Sequence, residues 1–246
     1  MSDHESLERL VSDDPDVIAD HAERLYRRLD ATDTHDRVDA GRALRTAARH
    51  DPRLVEPHSD ALIALLADPH GSLRLSGAVG LAELAEATPT SVVRAVPELT
   101  ALLADDAPAV RMAAIRGLAR IGERFPGAVS VADEPAAALS SAASPRIRTA
   151  VLSVFAAAVL ADPARFPETV GAYERALDDD DPRVRRCAAS AVASVARVDP
   201  TALESPERTL ERIERIERRT DAQPWNHDGK TTKAARTLRS VVEDDT

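Results

Sequence analysis

Residues 105–126 read DDAPAVRMAAIRGLARIGERFP, and the fold is decided by how this stretch is punctuated. Two aspartates followed by Pro108 have the chemistry of a helix start. A side-chain oxygen can accept from an orphan N–H, and proline suits the first helical position because its missing N–H is not needed there. Three residues later comes Arg111, followed by Ala114, Leu118 and Ile121 at offsets of 3, 7 and 10. Those offsets place small and apolar side chains on one buried helical face. At Phe125-Pro126 the punctuation returns and a new helix opens.

The same marks recur in both directions. Proline stands at Pro15, Pro52, Pro89, Pro126, Pro163 and Pro200, each 37 residues from the last. Five of the six preceding residues, Asp14, Asp51, Thr88, Asp162 and Asp199, can accept a hydrogen bond from an orphan N–H; the exception is Phe125. Arginine keeps the same interval at Arg37, Arg74, Arg111, Arg148 and Arg185. The first helix of each repeat has its own apolar columns. One is Ile18, Val55, Val92, Val129, Phe166 and Leu203; another is Leu25, Leu62, Leu99, Ala136, Tyr173 and Leu210. Each repeat therefore reads as a helix of about four turns, a short polar turn and a second helix of similar length. A pair this small cannot bury both apolar faces alone, so neighbours must stack. The expected fold is all-α: a right-handed alpha-solenoid of about six antiparallel helix pairs with a 37-residue period. It forms a single domain over residues 1–246, with an N-terminal cap at 1–13, repeats at 14–220, and an inserted loop and capping helix at 221–246.

Composition agrees. Hydrophobic residues make up 43% and aromatics only 2%, a balance that suits closely stacked Ala/Leu/Val helices and not a β-sandwich or barrel. The formal net charge is −10, and the only lysines are Lys230 and Lys233. Such an acidic, Asp-rich, Lys-poor surface resembles cytosolic proteins of salt-accumulating microbes, which stay soluble through net charge. Cys187 is alone and reads as a small buried hydrophobe, with no disulfide or thiolate cluster to join. Met1-Ser2-Asp3-His4-Glu5 lacks the regions of a signal peptide, and the apolar run 150–161 is too short to span a bilayer. A cytoplasmic protein without membrane insertion is expected.

The helix pair, the repeat length and the turn chemistry resemble HEAT repeats over about residues 14–220. In that family a turn Asp and an Arg six residues later often form a ladder along the stack. Asp68 with Arg74, Asp105 with Arg111 and Asp179 with Arg185 match this spacing, while Ala31 and Ala142 interrupt it. The periodic arginines thus read as a structural ladder and not as a row of anion contacts, since a structural device recurs in every repeat. The resemblance implies an armadillo-like interaction scaffold in which side chains of successive second helices line a concave face, and it is nearly silent on function.

The varying flank of those second helices is where partner chemistry is expected. Arg42, Arg45 and Arg49 form a basic stripe, Arg116 and Arg120 add to it, and Leu75, Val79 and Met112 leave the middle apolar. The second helix of the fourth repeat, 146–161, is apolar nearly all round, and Leu160 stands where other repeats carry charge. It reads either as a thickened core or as a contact between two copies. Trp225, in the insertion, reads as a cap or an interface anchor. The run Asp178–Asp181 lacks the alternating ligands of a calcium loop, and the histidines form no i, i+4 pair, so no metal, cofactor or catalytic site is expected. The leading function is a non-catalytic scaffold for a protein or peptide. The alternatives are a HEAT-like enzyme, such as an alkylpurine DNA glycosylase or a bilin-lyase-like protein, and a structural subunit of a larger assembly. The acidic balance argues against nucleic acid as a partner.

Overall fold

The computed structural model describes residues 5–221 and 229–244. Among these residues every regular element is helical, and no helix is long and apolar enough to cross a membrane. Contacts divide the chain into two compact units, Met1–Arg124 and Phe125–Thr246.

In the N-terminal unit a short helix, α1 (Leu7–Asp13), packs on α2 (Thr34–His50), α2 packs on α3 (Gly71–Ala87), and α3 packs on α4 (Pro108–Arg124). The start of α2 follows from Asp33, whose carboxylate accepts from the His35 N–H at 2.6 Å and the Asp36 N–H at 3.3 Å. Burial follows the expected offsets: Ala40, Leu44 and Ala47 on α2 and Ala114, Leu118 and Ile121 on α4 are all fully buried. Asp39 ties α1 down by accepting from the Leu7 N–H at 2.7 Å and from the Arg28 guanidinium.

The first helices differ from the continuous four-turn helices expected. They are built of short α-helical and 3-10 pieces, such as Pro52–His58 followed by Ser59–Leu65, or Pro89–Val92, Val93–Ala95 and Val96–Ala101. In the second and third repeats internal prolines account for this. Pro57 and Pro97 lack the N–H that would continue the ladder, and the proline ring crowds the carbonyl four residues back. The apolar columns survive the interruptions: Ile18, Val55 and Val92 are buried, as are Leu25, Leu62 and Leu99. Between the layers α3 comes very close to the preceding helix. A Cβ on Gly77 would lie 2.6 Å from the Leu62 carbonyl oxygen, so only glycine fits there.

The C-terminal unit carries α5 (Pro145–Val154), α6 (Ala156–Ala161), α7 (Pro182–Val198), α8 (Pro206–Asp221) and α9 (Lys230–Asp244). Three aromatic side chains, Phe155, Phe166 and Tyr173, fill its interior. The Phe155 and Phe166 rings meet edge-on, with centroids 6.3 Å apart and planes at 73°. The second helix of the fourth repeat is interrupted at Phe155, where the Ser153 hydroxyl donates to the Thr149 carbonyl at 2.9 Å, a local bond that competes with the helical ladder. Ile147, Val151, Leu152, Phe155 and Val159 all turn inward and are buried, while Leu160 stays half-buried. The helix is therefore not continuous, and of these large apolar side chains Leu160 alone keeps appreciable exposure. Buried carboxylates join the first helices of this unit. Asp133 accepts from the N–H groups of Glu168 (3.0 Å) and Thr169 (2.8 Å), satisfying the start of Pro167–Arg175. At the end of the unit α9 packs on α7 and α8 and buries Ala234, Ala235 and Leu238.

Candidate functional site

The periodic arginines come first, because they fix how successive second helices stand. The arginines bond in two directions, Arg74 and Arg148 in both. Backwards, one Nη donates to the carbonyls that end its own first helix: Arg74 to Asp68 O (3.0 Å) and Pro69 O (2.9 Å), Arg148 to Ala142 O (2.8 Å), Arg185 to Asp179 O (2.6 Å) and Asp180 O (2.9 Å). Forwards, the other edge of the fork grips an aspartate 31 residues on, in the next repeat. Arg74 Nε meets Asp105 Oδ2 at 2.5 Å with Nη2 at 3.2 Å from Oδ1, and Arg148 holds Asp179 with both bonds at 2.7 Å. Arg37 pairs likewise with Asp68. Asp68 and Arg74 are thus joined through the Asp68 main chain, while the Asp68 carboxylate serves the repeat before. Each aspartate also closes its own turn: Asp105 accepts from the Ala107 N–H at 2.8 Å and Asp179 from the Asp181 N–H at 2.8 Å. Burial alone would raise both carboxyls. The hydrogen bonds from Arg74 and Arg148, the turn N–H groups and the nearby guanidinium charges outweigh it and hold them below the ordinary range.

Arg111 and Arg185 keep the backward bonds, yet their buried Nε atoms have no hydrogen-bond partner among the described residues. The positions 31 residues further on are Ala142 and Ile216, which carry no carboxylate. Elsewhere in the acidic run, Asp178 pairs with Arg212 at 2.7 Å and Asp181 caps α7 through the Arg183 N–H at 2.7 Å. No group of three or more potential metal ligands is assembled among the described residues.

The residues expected to face a partner lie on α2, α3 and α4. Val79 follows Arg42, and Arg116 follows Val79, at the 37-residue interval, so the three hold equivalent places on consecutive helices; Leu75 and Met112 form a second such column. Arg42, Arg49, Arg116 and Arg120 are exposed, Arg45, Leu75 and Met112 half-buried, and Val79 buried. Two of the cations have carboxylate neighbours: Arg42 lies 3.6 Å from Glu8 on α1, and Arg120 bridges Glu86 (3.2 Å) and Glu123 (3.5 Å). Burial, followed by the repulsion of Arg49 and Arg42, lowers the Arg45 pKa against the opposing pull of Glu8. Arg49 and Arg116 make no ion pair among the described residues. Trp225 lies outside the described residues.

The C-terminal unit holds a feature the sequence did not single out. A groove runs along α7 between α9 and the α5–α6 break, as two adjoining cavities of about 300 and 240 Å³. Arg197, Lys230 and Lys233 line the first, Leu152, Ala156 and Leu160 the second, and Ser190, Ser194 and Lys230 belong to both. Cys187 lines the second cavity and is half-buried, in place of the core position expected for it. Ser190 and Arg197 hold the places that Arg42 and Arg49 hold on α2, so the 37-residue interval was the available signal on one side. Nothing in that interval announces α9, which falls out of register.

The family model for HEAT repeats matches residues 59–154. None of the curated proteins compared matches the chain. Among solved structures, the designed armadillo repeat protein YIII(Dq)4CqI is similar, with a TM-score of 0.70 and 18% identity over 89% of this chain and 98% of its own. A related design in complex with the peptide (KR)4 gives 0.66 and 16% over 89% and 98%. The archaeal HEAT-like repeats protein from Thermococcus onnurineus NA1 gives 0.65 and 17% over 98% of each chain. The chain therefore has the fold of the armadillo and HEAT repeat solenoids, and carries the sequence signature of HEAT repeats over residues 59–154.

Proposed function

We propose that this protein is a non-catalytic scaffold that binds a protein or peptide along the outward columns of its second helices, the surface that the family resemblance makes concave. One observation carries the reading: core columns repeat and outward columns do not. Leu44, Leu81, Leu118, Phe155 and Val192 occupy equivalent places and are all fully buried and apolar. Two residues before each, the column Arg42, Val79, Arg116, Ser153 and Ser190, exposed except at the buried Val79, changes character from helix to helix. Stacking demands the first pattern and leaves the second free to specify a partner. A backbone already ordered before binding spares most of the ordering cost on one side of the interface. The peptide-bound designed neighbour supports the same use of the fold.

The test is affinity capture from the source cell at its own salt concentration, followed by calorimetric titration of the purified partner. A stoichiometric complex in the micromolar range or tighter, about −8 kcal/mol or better, is expected. A chain that captures nothing able to bind it stoichiometrically when purified would end the scaffold reading.

A further inference from the structure

We propose that the groove between α7 and α9 docks an acidic peptide segment carrying an apolar side chain beside its carboxylates. The proposal rests on the scaffold reading and gives it a place and a partner chemistry.

Charge is the first argument. In a chain of formal net charge −10, both lysines and Arg197 line one cavity, and among the described residues no carboxylate lines either cavity. Lys230 and Lys233, three residues apart in the first turn of α9, lie on one face of it. That placement does nothing for the helix, whose N-terminal dipole end favours acids and disfavours cations. The dipole and the Lys233 ammonium instead add to one positive field in the cavity that Arg197 lines. The N-terminal unit supplies a control. There the cap helix α1 brings Glu8 to Arg42, so the basic stripe of α2 is partly neutralised from within. At α7 the cap helix brings lysines.

Shape is the second argument. Ala193 and Ala234 form a low floor under the cations, and the groove continues without interruption past Ser190 and Ser194 to Leu152, Ala156 and Leu160. Cavities of about 300 and 240 Å³ lie at or below the small end of ligand sites, a size for individual side chains of an extended segment. The Ser190 hydroxyl on the shared wall can donate to the segment's main-chain carbonyls, while the Ser194 hydroxyl, which donates to the Ser190 carbonyl at 2.9 Å, can accept from its main-chain N–H groups. The occupant that fits places one or two Asp or Glu side chains at Arg197 and Lys233, and a leucine-sized side chain against Leu160.

The test is selection of a random peptide library, displayed on phage, on the wild-type chain and on the exposed double variant Arg197→Glu/Lys233→Glu. Thermal unfolding of both proteins serves as the check that they fold alike. The expected result is enrichment of peptides that combine acidic and apolar residues. By fluorescence anisotropy these should bind the double variant at least tenfold more weakly, and lose affinity between 0.15 and 1 M salt as the Debye length contracts from about 8 to 3 Å. A groove-filling variant, Ser194→Trp, should abolish their binding while leaving charge unchanged. Enriched peptides that are neutral or basic, or that bind both variants as they bind the wild type, overturn the groove and leave the scaffold reading standing. Enrichment of nothing overturns the groove, and with failed capture from the cell it overturns both.

Discussion

In the N-terminal unit α3 lies so near the preceding helix that Gly77 has no room for a methyl group. The same place in other repeats is held by Ala40, Ala114, Val151 and Ala188. At Gly127, Gly171 and Gly229 of the C-terminal unit a methyl group would meet no backbone atom so closely, and this unit packs Phe155, Phe166 and Tyr173 into its interior. Both are solutions to stacking helix pairs with few large side chains. Bringing backbones together leaves little space to fill. Filling with rings tolerates an interrupted helix at Phe155 and a groove with Tyr173 in its wall.

The largest effect that can break this comparison is Phe155→Ala. Removing a fully buried ring should cost about 3–5 kcal/mol, read from urea unfolding, with loss of amide protection concentrated in residues 125–221. A cost under about 1 kcal/mol would mean the site collapses and the rings are not what fills the unit.

Next comes Gly77→Ala. Its Cβ would meet the Leu62 carbonyl, which is backbone and cannot swing away, so a loss of about 1–3 kcal/mol is expected, although alanine is the better helix former by about 1 kcal/mol. The reciprocal change, Ala188→Gly in α7, sharpens the point: it should cost only about 1 kcal/mol plus a small loss of burial. Stabilisation by Gly77→Ala would show that the close approach is not maintained in solution.

The smallest effect concerns pH. His58 is buried in the N-terminal unit with its Nδ1 2.9 Å from the Tyr26 hydroxyl, and burial lowers its pKa below the ordinary 6.5. The unfolded chain then takes up the proton first as pH falls. Stability from the neutral ring is complete above about pH 6.5 and is lost as pH drops toward the lowered folded value. The thermal midpoint of the wild type should fall more between pH 7.5 and 5.5 than that of His58→Gln; equal slopes would remove His58 as the cause.

Helix starts were legible because their chemistry is local. Asp14, Asp51 and Asp199 accept from the N–H two residues on, at 3.2, 2.9 and 3.0 Å, as an aspartate before proline should. The buried columns were legible because helical offsets of three and four need no knowledge of the neighbour. The breaks in the first helices were harder to see, because the apolar pattern runs unbroken across Pro57 and Pro97. The columns proposed to face a partner on α2, α3 and α4 follow from the repeat interval, and the Arg120–Glu123 pair from an offset of three, but Glu8 and Glu86 reach Arg42 and Arg120 from other helices, and helix-surface offsets carry no word of them.

By itself, then, the sequence determined that helix pairs repeat, where each begins and which side is buried, since these follow from bonds and contacts within a few residues. Only the tertiary structure decided that Arg37, Arg74 and Arg148 reach into the next repeat, 31 residues on, and that α9 brings two lysines beside Arg197. Those arrangements depend on the distance and angle between separately formed helices. Packing of whole surfaces sets that geometry, and no short-range pattern in the chain records it.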